Sequence, residues 1–213
     1  MLIQGQQGLP QKLAGGATNP TVAMGFLAEL LKSSLMPDYY TLVKTGFVYF
    51  LPAAAANVST FVGGAGGTPL LAIFNPPNSG KDLIILQSRI AVRTTGTAAV
   101  GLDFNWWIGP SASPTGTRTN PFNSYSLAQA GAQALGFVNT ALTGSTALGG
   151  GPFPVLSIGN IAVAGVQVVG QFYDETRGLV LVAPGNLAAL GASAGTTAAS
   201  FDAAITWAET PSA

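Results

Sequence analysis

Two places in the sequence put a carboxylate where it could do chemistry. Asp103 lies in the run 100–108, beside Phe104, Trp106 and Trp107, and a carboxylate next to an aromatic platform suits a sugar. Asp174 and Glu175 are adjacent, and a pair of carboxylates can carry glycoside hydrolysis. Strand geometry weakens both. Phe104 and Trp106 share one face of an extended run, while Asp103, Asn105 and Trp107 share the other. Phe104 and Trp106 therefore read as core, and Trp107 as the cover of either an interface or a sugar. Adjacent strand residues point to opposite faces, so Asp174 and Glu175 converge only at a turn. With Thr176, Arg177 and Gly178 following, they read as a solvated hairpin tip.

The chain has no histidine and no cysteine. Imidazole bases and thiol nucleophiles are therefore missing, and with them His/Cys zinc sites and Ser-His-Asp or Cys-His catalysis. The glycine-rich stretch 62–67 has no Gly-Lys-Ser/Thr after it and runs into a strand pattern. The stretch 78–82 lacks the spaced upstream glycine, so neither is a phosphate loop. Gly149, Gly150 and Gly151 before Pro152 are explained by backbone freedom in a loop. No Asp/Asn-rich loop has calcium spacing. The expectation is a protein with no catalytic residue, no metal and no cofactor.

What remains is composition. Eight basic and eight acidic residues in 213 make 8% charged, against about 25% in an ordinary soluble domain. A chain with zero net charge and 48% apolar residues tends to associate, so it reads as one that lives packed against other protein, first of all itself. Lys12, Lys32, Lys44, Lys81, Arg89, Arg93, Arg118 and Arg177 are scattered, which argues against a nucleic-acid surface. Residues 1–13 lack the pattern of a secretory signal. The helical stretch 21–36 contains Glu29 and Lys32 and is too short and polar to span a bilayer, so no membrane partner is expected.

Residues 1–19 are rich in Gly and Gln without periodicity and read as an extended arm. Leu2, Ile3, Leu9 and Leu13 are its apolar anchors and, with Trp107, the candidate assembly contacts. A helix follows, with Asn19 as cap, Pro20 at its first position and Pro37 as its stop. Its stripe of Val22, Phe26, Leu30 and Leu31 faces either its own sheet or a neighbouring subunit. From residue 39 the chain reads as β-structure, starting with a β-branched and aromatic run over 40–51. Runs 83–94 and 98–108 flank Thr95, Gly96 and Thr97 at a spacing that suits a hairpin. A loop covers 109–123, and a short Ala-rich helix fits 127–134. Short strands continue to the last one, where Phe201, Ala203, Ile205 and Trp207 alternate with Asp202, Ala204 and Thr206. About eight to ten short strands without βα alternation suggest an all-β sandwich or barrel.

The last 35 or so residues add a family signal. An apolar strand from Gly178 breaks at Pro184 and Gly185. A second apolar strand and a small-residue spacer follow, and a final strand ends in Trp207, Ala208 and Glu209. This resembles the C-terminal half of jelly-roll proteins in the virions of tailed bacteriophages, most of all capsid cement and decoration proteins. The resemblance implies a jelly-roll-like β-sandwich over 39–213 behind an N-terminal arm and helix over 1–38. It also implies a homotrimer, the major capsid protein as partner, and a place on the capsid surface after assembly in the host cytoplasm. A single jelly-roll shell or head-fibre protein, and a carbohydrate- or receptor-binding module, are the alternatives.

Overall fold

Alternation decides the last strand. Phe201, Ala203, Ile205 and Trp207 are buried, and Asp202, Ala204 and Thr206 between them are half-buried. The computed structural model describes residues 40–94, 102–158, 171–194 and 196–212. The arm and helix expected over 1–38, including Leu2, Ile3, Leu9 and Leu13, lie outside those residues.

One short helix, α1 (Tyr40–Lys44), leads into ten strands. They are β1 (Val48–Val58), β2 (Leu71–Phe74), β3 (Lys81–Thr94), β4 (Leu102–Pro110) and β5 (Phe122–Asn123), then β6 (Leu135–Val138), β7 (Gly150–Ile158), β8 (Gln171–Val182), β9 (Asn186–Ala192) and β10 (Thr196–Pro211). Sheet A has the order β5-β1-β10-β3-β8 and sheet B the order β6-β2-β9-β4-β7. The antiparallel pairs nest: β1 with β10, β2 with β9, β3 with β8 and β4 with β7. A long ribbon paired in this way and folded over itself is a jelly roll. Pairing of β10 with β3 and of β9 with β4 completes the two sheets. The short strands β5 and β6 extend them beyond β1 and β2.

The main core fills the space between the sheets, with Leu51, Ile85, Phe104, Trp106, Phe201 and Trp207 among its residues. Packing is specific here: the Phe104 and Phe201 rings meet edge to face at 5.4 Å. Strand β3 carries one extra residue, Leu86, where its register against β10 shifts between Trp207 and Thr206. Such a bulge bends the strand locally; Ile85 lies in the main core, and Leu86 beside it is buried as well.

The central strands β2 and β9 of sheet B are buried on both sides, which is why they read as apolar runs. A second core lies against it, made of Phe61, Phe74, Phe137, Leu142, Leu148 and Leu187, with Ala72 and Ala189. Phe61, Leu142 and Leu148 belong to the segments between strands, so connecting chain forms part of this second core.

Several local expectations change: β4 runs on to Pro110 and β5 holds Phe122 and Asn123 within the loop expected over 109–123, and Gly150 and Gly151 begin β7 instead of lying in a loop. Residues 40–44 form a helical turn instead of the start of a strand. Thr45 Oγ1 donates to the Leu42 carbonyl at 2.7 Å, and the Gly46 amide donates to Val43 at 2.9 Å. Gly46 has φ +76°, the left-handed conformation that ends helices. The runs 83–94 and 98–108 do not make a hairpin, because β3 belongs to sheet A and β4 to sheet B. Residues 127–134 are irregular rather than helical, with Leu127 itself at φ 59°. Asp174 and Glu175 are not at a hairpin tip: they pair with Ser88 and Gln87 inside β8. The turn signal at Arg177 and Gly178 marks instead an irregularity, where the register jumps from Glu175 opposite Gln87 to Val180 opposite Ile85.

Candidate assembly surface

Strand β4 separates its residues as alternation requires. Phe104 and Trp106 are fully buried, Asp103 is exposed and Trp107 is half-buried. Trp107 stands edge-on to Phe61, with ring centroids 6.5 Å apart. Gly63 and Gly151 approach its ring so closely that a Cβ on either would lie 2.7 Å from Cε3. One glycine from each glycine-rich stretch, Gly63 of 62–67 and Gly151 of 149–151, thus serves close packing around this indole. The Ser193 hydroxyl lies 3.5 Å from Asp103 Oδ2. Among the described residues, no group of three or more acidic side chains is placed to hold a metal.

Among the described residues, the buried carboxylate is Glu209. It lies two residues beyond Trp207 on β10 and is 2% exposed. The amides of Gln133 and Ala134 donate to it at 3.0 and 3.1 Å, and the Trp207 indole Nε1 donates at 3.3 Å. The Tyr49 ring stacks on Trp207 at 6.1 Å. Burial first, and the Glu209 charge second, push the Tyr49 hydroxyl above the usual phenol value, while a hydrogen bond with Asn123 pulls it back. Asn123 in turn donates to the Gly46 carbonyl at 2.6 Å and accepts from the Tyr125 and Ser126 amides. With three donors on one carboxylate, the arrangement is a clamp that fastens segment 124–134 to the last strand. The spacing of Trp207 and Glu209 placed them on one strand face, which was the signal available in the sequence.

Exposed apolar side chains gather on β8, the edge strand of sheet A. Phe172, Val180 and Val182 turn to the core, so Tyr173, Leu179 and Leu181 turn outward. They are 50%, 81% and 50% exposed. Leu181 pairs with Ile84 on β3, and Tyr173 pairs with Arg89, whose guanidinium lies 5.2 Å from the Tyr173 ring centre. Strand β7, the edge of sheet B, adds Phe153, also well exposed. An edge strand presents unpaired backbone groups to any chain that can extend the sheet. The irregular stretch of β8 near Thr176 limits such pairing, since bulges interrupt a ladder, and Thr176 is held there by its hydroxyl bonding the Ile85 carbonyl.

Comparison with protein-family models, with curated proteins and with solved structures gives no match for this chain.

Proposed function

We propose that this chain is a non-enzymatic structural protein of a virion, a cement or decoration protein of a bacteriophage capsid. In this reading it associates with itself as a trimer and binds the major capsid protein through protein–protein contacts. The observation that carries the reading is the outward group of Tyr173, Leu179 and Leu181 on edge strand β8, in a chain with only 8% charged residues. Leucines this exposed, beside a sheet edge, suit a surface that is covered in an assembly. A surface of this kind stabilises many copies at once and needs no chemistry.

The nested strand pairing supports a second reading, a single jelly-roll shell protein, since viral capsid domains use the same fold. A sugar-binding module fits less well, because Trp107 is packed against Phe61, Gly63 and Gly151 of its own chain. Electron microscopy of native particles, with this chain located, separates the readings. Density outside a shell of a different protein is the expected result, and density within the shell favours the second reading. A chain absent from particles, and a monodisperse monomer in sedimentation at micromolar concentration, would overturn both.

A further inference from the structure

A cleft of about 210 Å³ opens between residues 118–121 and residues 129–136, at the side of the sandwich where β5 and β6 end the two sheets. The Thr119 amide donates to the Gly136 carbonyl at 2.9 Å. That single antiparallel bridge joins the walls. Glu209 holds one wall from the core side through the amides of Gln133 and Ala134, so the wall is pre-positioned. Arg118 is the one charged residue lining the cleft, and Asn120 and Gln129 are part of the same lining.

Arg118 also differs from the other described cations. Lys44, Lys81 and Arg89 lie over the rings of Tyr125, Phe47 and Tyr173, and Arg93 pairs with Asp202 at 3.2 Å. Arg118 has neither an aromatic nor a carboxylate partner among the described residues.

We propose that this cleft recognises a carboxylate carried on an extended peptide segment. The Arg118 guanidinium takes the carboxylate in a forked pair, and Asn120 and Gln129 bond the peptide backbone. One guanidinium matches a singly charged carboxylate, whereas a phosphate dianion calls for further cations or a nest of amides. The volume lies below the roughly 300–1,000 Å³ of small-molecule pockets and suits one or two side chains. Each amide side chain both donates and accepts, as a peptide group requires. This inference does not rest on the assembly reading, since the cleft is separate from the β8 surface.

The test is saturation-transfer NMR on the full chain in its native oligomeric state. The probe is acetyl-Ala-Glu-Ala-amide, with the Gln analogue as its neutral counterpart. The Glu peptide is expected to receive saturation, and the Gln peptide to bind about tenfold more weakly, the scale of one charge-assisted contact. Arg118→Gln should remove that preference, and Ala130→Trp, which fills the cleft, should weaken binding of the Glu peptide. Both variants are checked for an unchanged unfolding midpoint. Absence of Glu-peptide binding, equal binding of the two peptides to the wild type, or a preference that survives Arg118→Gln would overturn the inference.

Discussion

Trp207 and Glu209 lie two residues apart on β10 and share its inner face, and the indole of one donates to the carboxylate of the other at 3.3 Å. The pair does two jobs with one strand face. Trp207 fills the core between the sheets, while Glu209 reaches past it to amides 75 and 76 residues earlier in the chain. A carboxylate buried in this way is tolerable only because its oxygens are satisfied, since an unpaired buried charge costs several kcal/mol.

Glu209→Ala should therefore destabilise strongly. It leaves the Gln133 and Ala134 amides and the Trp207 Nε1 without their acceptor, and each buried unsatisfied donor costs about 1–3 kcal/mol. A total loss of about 3–5 kcal/mol is expected once some donors find water. Urea unfolding measures it. Limited proteolysis of the variant should also cut first within 124–134, because the clamp on that segment is gone. A variant as stable as the wild type and uncut there would show that the clamp contributes nothing.

How much of this was legible in the sequence can be judged from the same strand. Period-two alternation gave the inner face of β10 directly, because it depends only on residues next to one another. The partners of Glu209 were not legible, since backbone amides carry no residue-type signature. The same limit explains the expected hairpin at 95–97. Alternation shows that 83–94 and 98–108 are strands, but not that one joins sheet A and the other sheet B. At 40–44 the β-branched Thr41 and Val43 favour a strand, and the stop at Thr45 and Gly46 decides for a helical turn. At 127–134 the alanines favour a helix, while Gly131, at φ +90°, and the amides taken by Glu209 oppose it. Arg177 and Gly178 announced a change of direction without revealing that β8 continues beyond it. On the candidate surface, Trp107 could be placed on its strand face, but the second core beside it depends on Phe61 and Leu148, far away in the sequence.

Asp202 predicts a pH dependence. Its carboxylate accepts from the Ala55 amide at 2.8 Å and pairs with Arg93 at 3.2 Å. The Ala55 hydrogen bond is the largest cause that holds its pKa below the usual carboxylate value; burial opposes it, and Arg93 adds to the lowering. A lowered folded-state pKa gives stability that is present above the unfolded value, about 3.9, and is lost as pH falls through the folded one. Between pH 6 and pH 3 the wild type should lose more stability than Asp202→Asn, as read by urea midpoints at each pH. Equal losses would remove Asp202 from the acid response.

Ala55 itself sits in the left-handed region at φ 50°, where the register of β1 against β10 shifts. Relief of about 1–2 kcal/mol of strain outweighs the added chain entropy of glycine, about 0.5–1 kcal/mol. Ala55→Gly should therefore raise stability by about 0.5–1 kcal/mol, and a lower unfolding midpoint would count against that strain.

Gly191 tests the second core. A Cβ there would lie 2.6 Å from Phe61 Cδ1 and 2.7 Å from Phe61 Cβ. Phe61 is buried and stands against Trp107, so it has little room to retreat. Gly191→Ala should cost about 1–3 kcal/mol through overpacking. It should also alter Trp107 fluorescence, because the Phe61 ring must move. Unchanged stability and emission would mean that the cover over sheet B yields freely.

The surface on β8 makes a prediction of the opposite kind, a change in association without a change in fold. Leu179 and Leu181 point away from the core and are more exposed than a buried contact would allow. Replacing both with Asp should move the unfolding midpoint by no more than about 0.5 kcal/mol per site, the range for exposed positions. The same double variant places two like charges on each copy where apolar surface is to be covered, and charge buried at an interface without a partner is costly. Sedimentation at micromolar concentration should therefore shift from an oligomer toward the monomer, and binding to particles stripped of the native chain should fall. If the variant sediments and binds as the wild type does, β8 lies outside the assembly contact. The exposed leucines would then be ordinary surface residues, and a different face of the sandwich would have to make the contact.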